Sequence, residues 1–217
     1  MTRILSTKKL AANQKQFLLN AGFSVIDADF ITIKYLQFAL DPINDNLIFT
    51  SANAVRAVAN HPDVQQIRRK PCFCVGEKTA ALLDEVGFTV IEIADNAAEL
   101  GMLIEQKYTA ETFTFFSGNL RLDTLPGWFC EWNVTCNEIT VYQTKLTPVN
   151  AAETDGILFF SPSGVDSFLS ANELNKQTCF CIGETTAGAL KGKTQNIVIA
   201  NKPSVENVII QCINHYK

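Results

Sequence analysis

The chain has 217 residues, of which 47% are hydrophobic and 18% charged, and its formal net charge is −4. A chain of this length and composition can build one large core or two smaller ones. The acidic balance argues against a non-specific nucleic-acid binder, and no apolar run approaches the ~18 residues of a membrane helix, so we expect neither partner.

Apolar runs separated by turn residues predict strands that alternate with helices. The predicted strands are Arg3–Ser6, Ser24–Asp29, Leu47–Thr50, one starting at Cys72, Thr89–Ile93, Thr112–Phe116, Val134–Thr144, Ile157–Phe160, one starting at Cys179, and Ile197–Ala200. The predicted helices are Lys9–Ala21, Ala52–Asn60, one ending at Val86, Ala97–Tyr108 behind an Asn96 cap, Val165–Leu169, one after Cys181, and Val205–Asn214. This order predicts an α/β fold with parallel, flavodoxin-like sheets flanked by helices.

Two sequence echoes predict two similar lobes. CFCVGEKTAALL, from Cys72 to Leu83, and CFCIGETTAGAL, from Cys179 to Leu190, are identical at eight of twelve positions. LIFTSANAV, from Leu47, and ILFFSPSGV, from Ile157, precede them. Each echo is an apolar run, a small polar or glycine turn and an Ala/Leu-rich run, which is typical of a buried strand that feeds a helix.

The turns in these repeats predict anion sites. Gly76 and Gly183 allow a close bend, and Thr79 and Thr186 are expected to open the helices. The first N–H groups of a helix lack intrahelical partners, and the helix dipole is positive there, so such an end binds carboxylate or phosphate. The alternative is that both threonines merely cap their helices. Facing turns from two lobes would form a cleft at the carboxyl edges of the sheets.

Seven cysteines and the N-terminal sequence bear on the compartment. MTRILSTKKL lacks the apolar core of a signal peptide, so we expect a cytoplasmic protein with reduced thiols. Two Cys-X-Cys pairs are expected to point to one face of their strands as small buried hydrophobic residues: Cys72 with Cys74 and Cys179 with Cys181. A four-cysteine metal site is the alternative, but zinc sites usually use Cys-X-X-Cys on loops, so no metal is predicted.

Familiar catalytic motifs are missing from the sequence, which contains no GxSxG, HExxH or GxGxxG. The two histidines, His61 and His215, are expected on the surface and without a nucleophile nearby. A catalytic triad is therefore not predicted.

Four short segments carry a family resemblance: GNLR from Gly118, VYQT from Val141, FFSPSG from Phe159 and IGETTA from Ile182. Together, in this order and spacing, they resemble the uroporphyrinogen-III synthase family. The resemblance implies two α/β lobes joined by two linkers, with residues 1–29 and 145–217 forming a discontinuous first lobe and residues 30–144 the second. The linkers are expected near Phe30–Leu40 and Thr147–Asp155.

The resemblance also implies the reaction. Linear hydroxymethylbilane loses water, closes to a macrocycle and has its last pyrrole ring inverted, which gives uroporphyrinogen III for heme and other tetrapyrroles. The enzyme would be a carbon–oxygen lyase, and neither a metal nor an organic cofactor is implied. Because the bilane also cyclises unaided to the uninverted isomer, the enzyme must hold it curled so that the inverting path wins. We expect a monomer whose partner is this small polycarboxylate.

Site residues follow from the resemblance by position. Tyr142 matches the tyrosine implicated in departure of the hydroxyl, since a phenol can donate a proton or orient the leaving oxygen. The residues expected to bind substrate are Lys8, Ser51, Thr79, Gly118, Asn119, Ser161, Ser163 and Thr186. Ser6-Thr7-Lys8 departs from the Thr-Arg-Pro of many members, so a basic contact there would fall to Lys8. Glu77 and Glu184 stand in turns meant to face carboxylates, which weakens the expected anion sites.

Two other functions remain open on the sequence alone. A non-enzymatic two-lobed receptor for a small anion would show the same turns but gives no reason for VYQT. A response-regulator-like module needs acidic residues at strand ends, and the pair Asp27 and Asp29 is a poor version of that cluster.

Overall fold

The computed structural model describes residues 1–121 and 123–217, which form two compact units. Unit 1 comprises Met1–Thr32 with Lys145–Lys217, and unit 2 comprises Ile33–Thr144. The strands are β1 Arg3–Ser6, β2 Ser24–Asp27, β3 Ile31–Tyr35, β4 Asn46–Phe49, β5 Pro71–Val75, β6 Thr89–Ala94, β7 Thr112–Gly118, β8 Thr135–Leu146, β9 Gly156–Phe159, β10 Thr178–Cys181 and β11 Ile197–Ile199. The helices are α1 Ala12–Asn20, α2 Ala52–Ala59, α3 Glu77–Glu85, α4 Ala97–Lys107, α5 Thr124–Glu131, α6 Pro162–Leu169, α7 Glu184–Gly188 and α8 Val205–Tyr216, with one 3₁₀ turn at Val64–Gln66.

Unit 1 is built on a five-stranded sheet in the order β11-β10-β9-β1-β2, and its strand pairs are parallel. Side chains of β9 alternate between its faces, because successive residues of a strand point to opposite sides. Ile157 and Phe159 pack with α6 and α7 residues, whereas Leu158 packs with α1 and α8 residues. Helices therefore cover both faces, which explains why the strands read as continuous apolar runs.

Unit 2 is built on a six-stranded sheet in the order β3-β8-β7-β4-β5-β6. The pairs β4–β5, β4–β7, β5–β6 and β7–β8 are parallel. Leu47 and Phe49 pack on one face with residues of α2 and α3, and Ile48 packs on the other with residues of α4 and α5. The predicted α/β fold with parallel sheets and flanking helices is confirmed.

The chain passes between units within strands rather than loops. The first passage lies in β3, after Thr32 instead of before Phe30, because the Phe30 ring is buried in unit 1 at 6.0 Å from the ring of Phe168. The second passage lies in β8, before Lys145, so the polar segment Thr147–Asp155 belongs wholly to unit 1.

Several expected element ends move in the structure. The helix expected from Lys9 begins at Ala12. The strand expected to end at Phe116 continues to Gly118 as β7, and α5 follows it at Thr124–Glu131. Asn96 caps α4 as predicted, its side chain accepting the N–H of Glu99 at 3.0 Å. Across residues 1–121 and 123–217, none of the helices has the length and apolar character that crossing a bilayer requires.

Candidate functional site

The carboxyl ends of the parallel strands bring the predicted residues of each unit to one edge of its sheet. In unit 2, Ser51 follows β4, Gly76 follows β5, and Gly118 ends β7. Tyr142 lies in β8 directly beside Gly118 in the strand register. This edge, which we call the unit 2 edge, therefore gathers four of the motif positions, as parallel topology requires.

The Tyr142 ring lies against the backbone of Gly118. A Cβ atom added at Gly118 would stand 2.3 Å from Cζ of Tyr142 and 2.7 Å from its hydroxyl oxygen. Real side chains do not approach so closely, so glycine is required here to make room for the phenol. The ring is half-buried against the core of α2 and α3, and in the described part of the chain its hydroxyl has no hydrogen-bond partner.

Asn119 is engaged with β8. Its backbone N–H donates to the carbonyl oxygen of Tyr142 at 3.2 Å. Its side-chain oxygen accepts the N–H of Thr144 at 2.7 Å, and its amide nitrogen donates to the Thr144 carbonyl at 3.4 Å. Asn119 therefore acts as a tie between the turn and the strand that carries Tyr142.

Ser51 and Ser161 occupy the same place in the two units, as the N-caps of α2 and α6. The hydroxyl oxygen of Ser51 accepts the N–H of Asn53 at 3.1 Å. That of Ser161 accepts the N–H of Gly164 at 3.0 Å and lies 3.1 Å from the hydroxyl of Ser163. Both serines retain a hydroxyl proton to donate, because a hydroxyl is a donor and a double acceptor.

Contrary to our expectation, Thr79 and Thr186 are not the first residues of their helices. They are not the N-caps either. The caps are Gly76 and Gly183, and each threonine is the third helical residue with its N–H bonded to the glycine carbonyl, at 2.9 and 3.1 Å. Both threonines are buried, at 6% and 3% exposure. Gly76 has φ +83°, which favours glycine.

The first helical residues are the acids Glu77 and Glu184, which are exposed. A carboxylate at that position already complements the positive end of the helix dipole. These two helix ends are therefore weaker anion sites than the sequence motif alone suggests.

Lys8 lies exposed in the loop after β1, at the carboxyl edge of the unit 1 sheet. The two acids at the end of β2 shape this loop. Asp29 accepts the N–H of Lys9 at 2.9 Å, and Asp27 accepts the N–H of Leu10 at 3.1 Å and the ammonium of Lys15 at 2.5 Å. Burial alone would raise the pKa of Asp27, but these hydrogen bonds outweigh it and lower the pKa below its ordinary value. Asp27 and Asp29 therefore hold the loop that follows β1.

Comparison with known proteins decides the family. The family model described as uroporphyrinogen-III synthase HemD matches residues 13–210. The chain belongs to the uroporphyrinogen-III synthase family. A uroporphyrinogen-III synthase of Chlorobaculum parvum is 29% identical over 169 residues, which cover 67% of this chain and 68% of that one.

Solved structures of the family share the fold. The crystal structure of uroporphyrinogen-III synthetase from Helicobacter pylori is 24% identical, with a TM-score of 0.72 over 99% of this chain and 100% of that one. A mutant uroporphyrinogen III synthase from Thermus thermophilus is 15% identical, with a TM-score of 0.72 over 100% of both chains. Membership of the uroporphyrinogen-III synthase family makes the chain an enzyme of heme biosynthesis and disfavours the non-enzymatic receptor.

The cysteines that could have suggested a metal site are core residues in this family member. The pair Cys72 and Cys74 packs in one core and the pair Cys179 and Cys181 in another, as predicted. Burial raises the pKa of Cys72, Cys179 and Cys181 to about 12, and that of Cys74 to about 11. These thiols are therefore protonated at neutral pH. No group of three or more His, Cys, Asp or Glu side chains among the described residues could hold a metal ion.

Sequence reasoning missed an ion pair beside the Gly118 turn. The guanidinium of Arg121 donates from Nε and Nη2 to the two carboxylate oxygens of Glu138, at 2.6 and 2.7 Å. The hydrogen bonds from Arg121 lower the pKa of Glu138, and those to Glu138 raise the pKa of Arg121. Arg121 was visible as the last residue of GNLR, but no local pattern pairs it with a residue on the next strand.

Proposed function

We propose that the protein converts hydroxymethylbilane to uroporphyrinogen III. The substrate's C–O bond breaks, water leaves, a C–C bond closes the ring, and the last pyrrole is inverted, so the reaction is that of a carbon–oxygen lyase. Family membership supports the overall activity, and the position of Tyr142 supports the chemistry assigned to it.

The observation that carries this proposal is the phenol of Tyr142 at the unit 2 edge. Its ring is held against Gly118, while its hydroxyl has no partner within residues 1–121 and 123–217. Hydroxide is a poor leaving group, so a proton or a strong hydrogen bond given to the departing oxygen lowers the barrier. Tyr142 gives it, and the electron-rich pyrrole pushes the oxygen out.

The proposed carboxylate contacts are the serine hydroxyls at the helix N-termini. Ser51 serves unit 2, and Ser161 with Ser163 serves unit 1, where Lys8 adds the one nearby predicted cation. Each serine oxygen already accepts a helix N–H, except that of Ser163, which pairs with Ser161. Ser51 can therefore donate its O–H to a substrate carboxylate, and the pair Ser161 and Ser163 keeps one of its two O–H groups for the same purpose. The neighbouring helix ends reinforce such bonds.

Of the remaining predicted residues, Gly118 and Asn119 are assigned to shaping the site, and Thr79 and Thr186 to contacts with the substrate. Gly118 provides the space for the phenol, and Asn119 ties its turn to Thr144. Thr79 and Thr186 lie buried in the first turn of their helices, and their side chains make no hydrogen bond among the described residues, so their hydroxyls remain available to substrate.

We also propose a cytoplasmic monomer. All seven cysteines are free thiols, which suits a reducing compartment. Light scattering during size-exclusion chromatography tests the monomer, since the chain mass is 24.0 kDa and a dimer would scatter as twice that mass.

The activity is tested with freshly made hydroxymethylbilane and chromatography of the oxidised products. We expect the type III isomer, whereas heat-inactivated protein should give only the uninverted type I isomer of spontaneous closure. Binding of the bilane without any type III product would instead support an anion receptor.

A further inference from the structure

The two residues that flank Gly118 are both tied to β8. On one side, the hydroxyl of Ser117 donates to the Glu138 carboxylate at 2.5 Å, and this same carboxylate holds the fork of Arg121. On the other side, Asn119 is bonded to the backbone of Thr144. Arg121 also pairs with Asp123, so its charge is balanced by two acids and is not free for a substrate carboxylate.

These ties bracket an irregularity in the strand pairing. Ser117 pairs with Thr140, but Gly118 pairs with Tyr142, so β8 contains one extra residue at this step. In a regular strand, residues 138, 140 and 142 would share a face of the sheet. A shift by one residue moves a side chain to the opposite face.

The irregular register decides where the phenol lies. Phe113, Phe115 and Ser117 are alternate residues of β7 and therefore point to the same face of the sheet. The two phenylalanines pack in the core of α4 and α5, and Ser117 contacts Glu138 on that face. Tyr142 packs instead in the opposite core, with Phe116. The extra residue thus turns Tyr142 onto the face where its ring meets Gly118. Such an irregularity disrupts the backbone ladder locally, and the side-chain bonds of Ser117 and Asn119 join the two strands on either side of it.

We propose that Arg121 and Glu138 are positioning residues of the reaction. Their two-pronged ion pair, with Ser117, locks the shifted register of β7 and β8 and so keeps the Tyr142 phenol against Gly118. This inference rests on the proposed role of Tyr142, and neither residue is assigned a contact with the reacting atoms.

The first test observes the tyrosine directly, without activity. The chain has four tyrosines, so ring-labelled tyrosine gives four NMR signals, and the signal lost in Tyr142→Phe identifies Tyr142. Glu138→Gln should move the Tyr142 signal. The matched control is Glu92→Gln on β6, because Glu92 accepts the hydroxyl of Tyr108 at 2.7 Å. That variant should move the Tyr108 signal and leave Tyr142 in place.

The second test measures turnover. We expect Glu138→Gln to lower kcat by about 10-fold with KM changed less than about twofold, since misplacing a catalytic group slows chemistry more than binding. Arg121→Lys should behave similarly, because lysine lacks the planar fork. The double variant should be no slower than the worse single variant, as expected for two residues that act as one unit. Glu92→Gln should keep wild-type kcat.

The outcomes separate this inference from the proposed function. An unmoved Tyr142 signal, or unchanged kcat despite a moved signal, would overturn the positioning role. A rise in KM with unchanged kcat would also overturn it, since it would show that the pair serves substrate binding and not the chemical step. Full turnover in Tyr142→Phe would instead remove the phenol from the proposed chemistry, and the positioning role would fall with it even if the Tyr142 signal moves in Glu138→Gln.

Discussion

The phenol of Tyr142 and the Cα of Gly118 occupy adjoining space so closely that no side chain fits between them. The position of a Cβ at residue 118 is 2.5 Å from ring atom Cε2 of Tyr142 and 2.3 Å from Cζ. Gly118 does not have a positive φ angle, so its backbone conformation does not require glycine. The contact with the Tyr142 ring does. The missing side chain at residue 118 thus provides the space that the proposed proton donor occupies.

Gly118→Ala is therefore expected to displace the phenol. The new methyl group must push the ring or the turn away, which costs about 1–3 kcal/mol of stability, as overpacking does. Turnover should fall by about 10- to 100-fold, because the displaced hydroxyl no longer meets the leaving oxygen. Steady-state kcat and the denaturant midpoint measure both effects.

Gly127→Ala is the matched control for that change. Gly127 lies in α5 of the same unit, and nothing lies within 4 Å of its Cβ position. Alanine in a helix should keep wild-type turnover and stabilise the protein by about 0.5–1 kcal/mol. Wild-type turnover in Gly118→Ala as well would show that the contact with Tyr142 is irrelevant to the reaction.

Asp27→Asn is predicted to make the stability of the fold less dependent on pH in the acidic range. The pKa of Asp27 is lowered from its ordinary value of 3.8, so its contribution to stability is present above that value and is lost as pH falls through the lower, folded-state pKa. The melting temperature of the variant should lie below that of the wild type at pH 5 to 7, and the gap should narrow below about pH 3.8.

Asp166→Asn provides the comparison in the same unit. Asp166 is exposed on α6, and no side-chain ion pair involves it among the described residues. The melting temperature of Asp166→Asn should equal that of the wild type at each pH tested. An equal gap for Asp27→Asn at pH 7 and pH 3 would mean that the loss comes from neutral hydrogen bonding rather than from charge.

The sequence predicted the strands except β3 (Ile31–Tyr35), which lies in the segment Phe30–Leu40 that was expected to be a linker. The others could be predicted because helices cover both faces of both sheets. Runs such as Leu47–Phe49 are then apolar throughout and short, which distinguishes them from helices. The Cys-X-Cys spacing likewise predicted that the two cysteines of each pair point to one face of their strand and are buried there. These features depend only on neighbours along the chain.

Features that depend on distant partners could not be predicted. The start of α1 moved from Lys9 to Ala12, because Asp29 and Asp27, far along the chain, take the N–H groups of Lys9 and Leu10. The contact of Tyr142 with Gly118 requires a register shift between two strands. Neither event has a signature in a single stretch of sequence.

Thr79→Val and Thr186→Val test whether the buried threonines serve the substrate. Valine keeps the shape of threonine but removes the hydroxyl, which makes no hydrogen bond in the described protein. We expect the melting temperature to stay within a few degrees of wild type, while turnover or product affinity falls by about 5-fold or more, the typical loss of one hydrogen bond. Alanine at the same sites should add a cavity penalty to stability. Unchanged turnover and affinity in both valine variants would restrict the threonines to packing.

Tyr142→Phe tests the proposed chemistry itself. Phenylalanine keeps the ring against Gly118 and removes only the hydroxyl, which has no partner to lose among the described residues, so the variant should melt like the wild type. Assistance by a general acid is typically worth about 10²- to 10⁴-fold, so turnover should slow severely without stopping. The remaining product should still be mostly type III, because the shape of the site rather than the phenol selects the inverting path. Steady-state rates with isomer analysis decide between the roles: wild-type turnover would leave positioning of the bilane as the enzyme's whole contribution, and a switch to type I product would make the phenol a determinant of inversion.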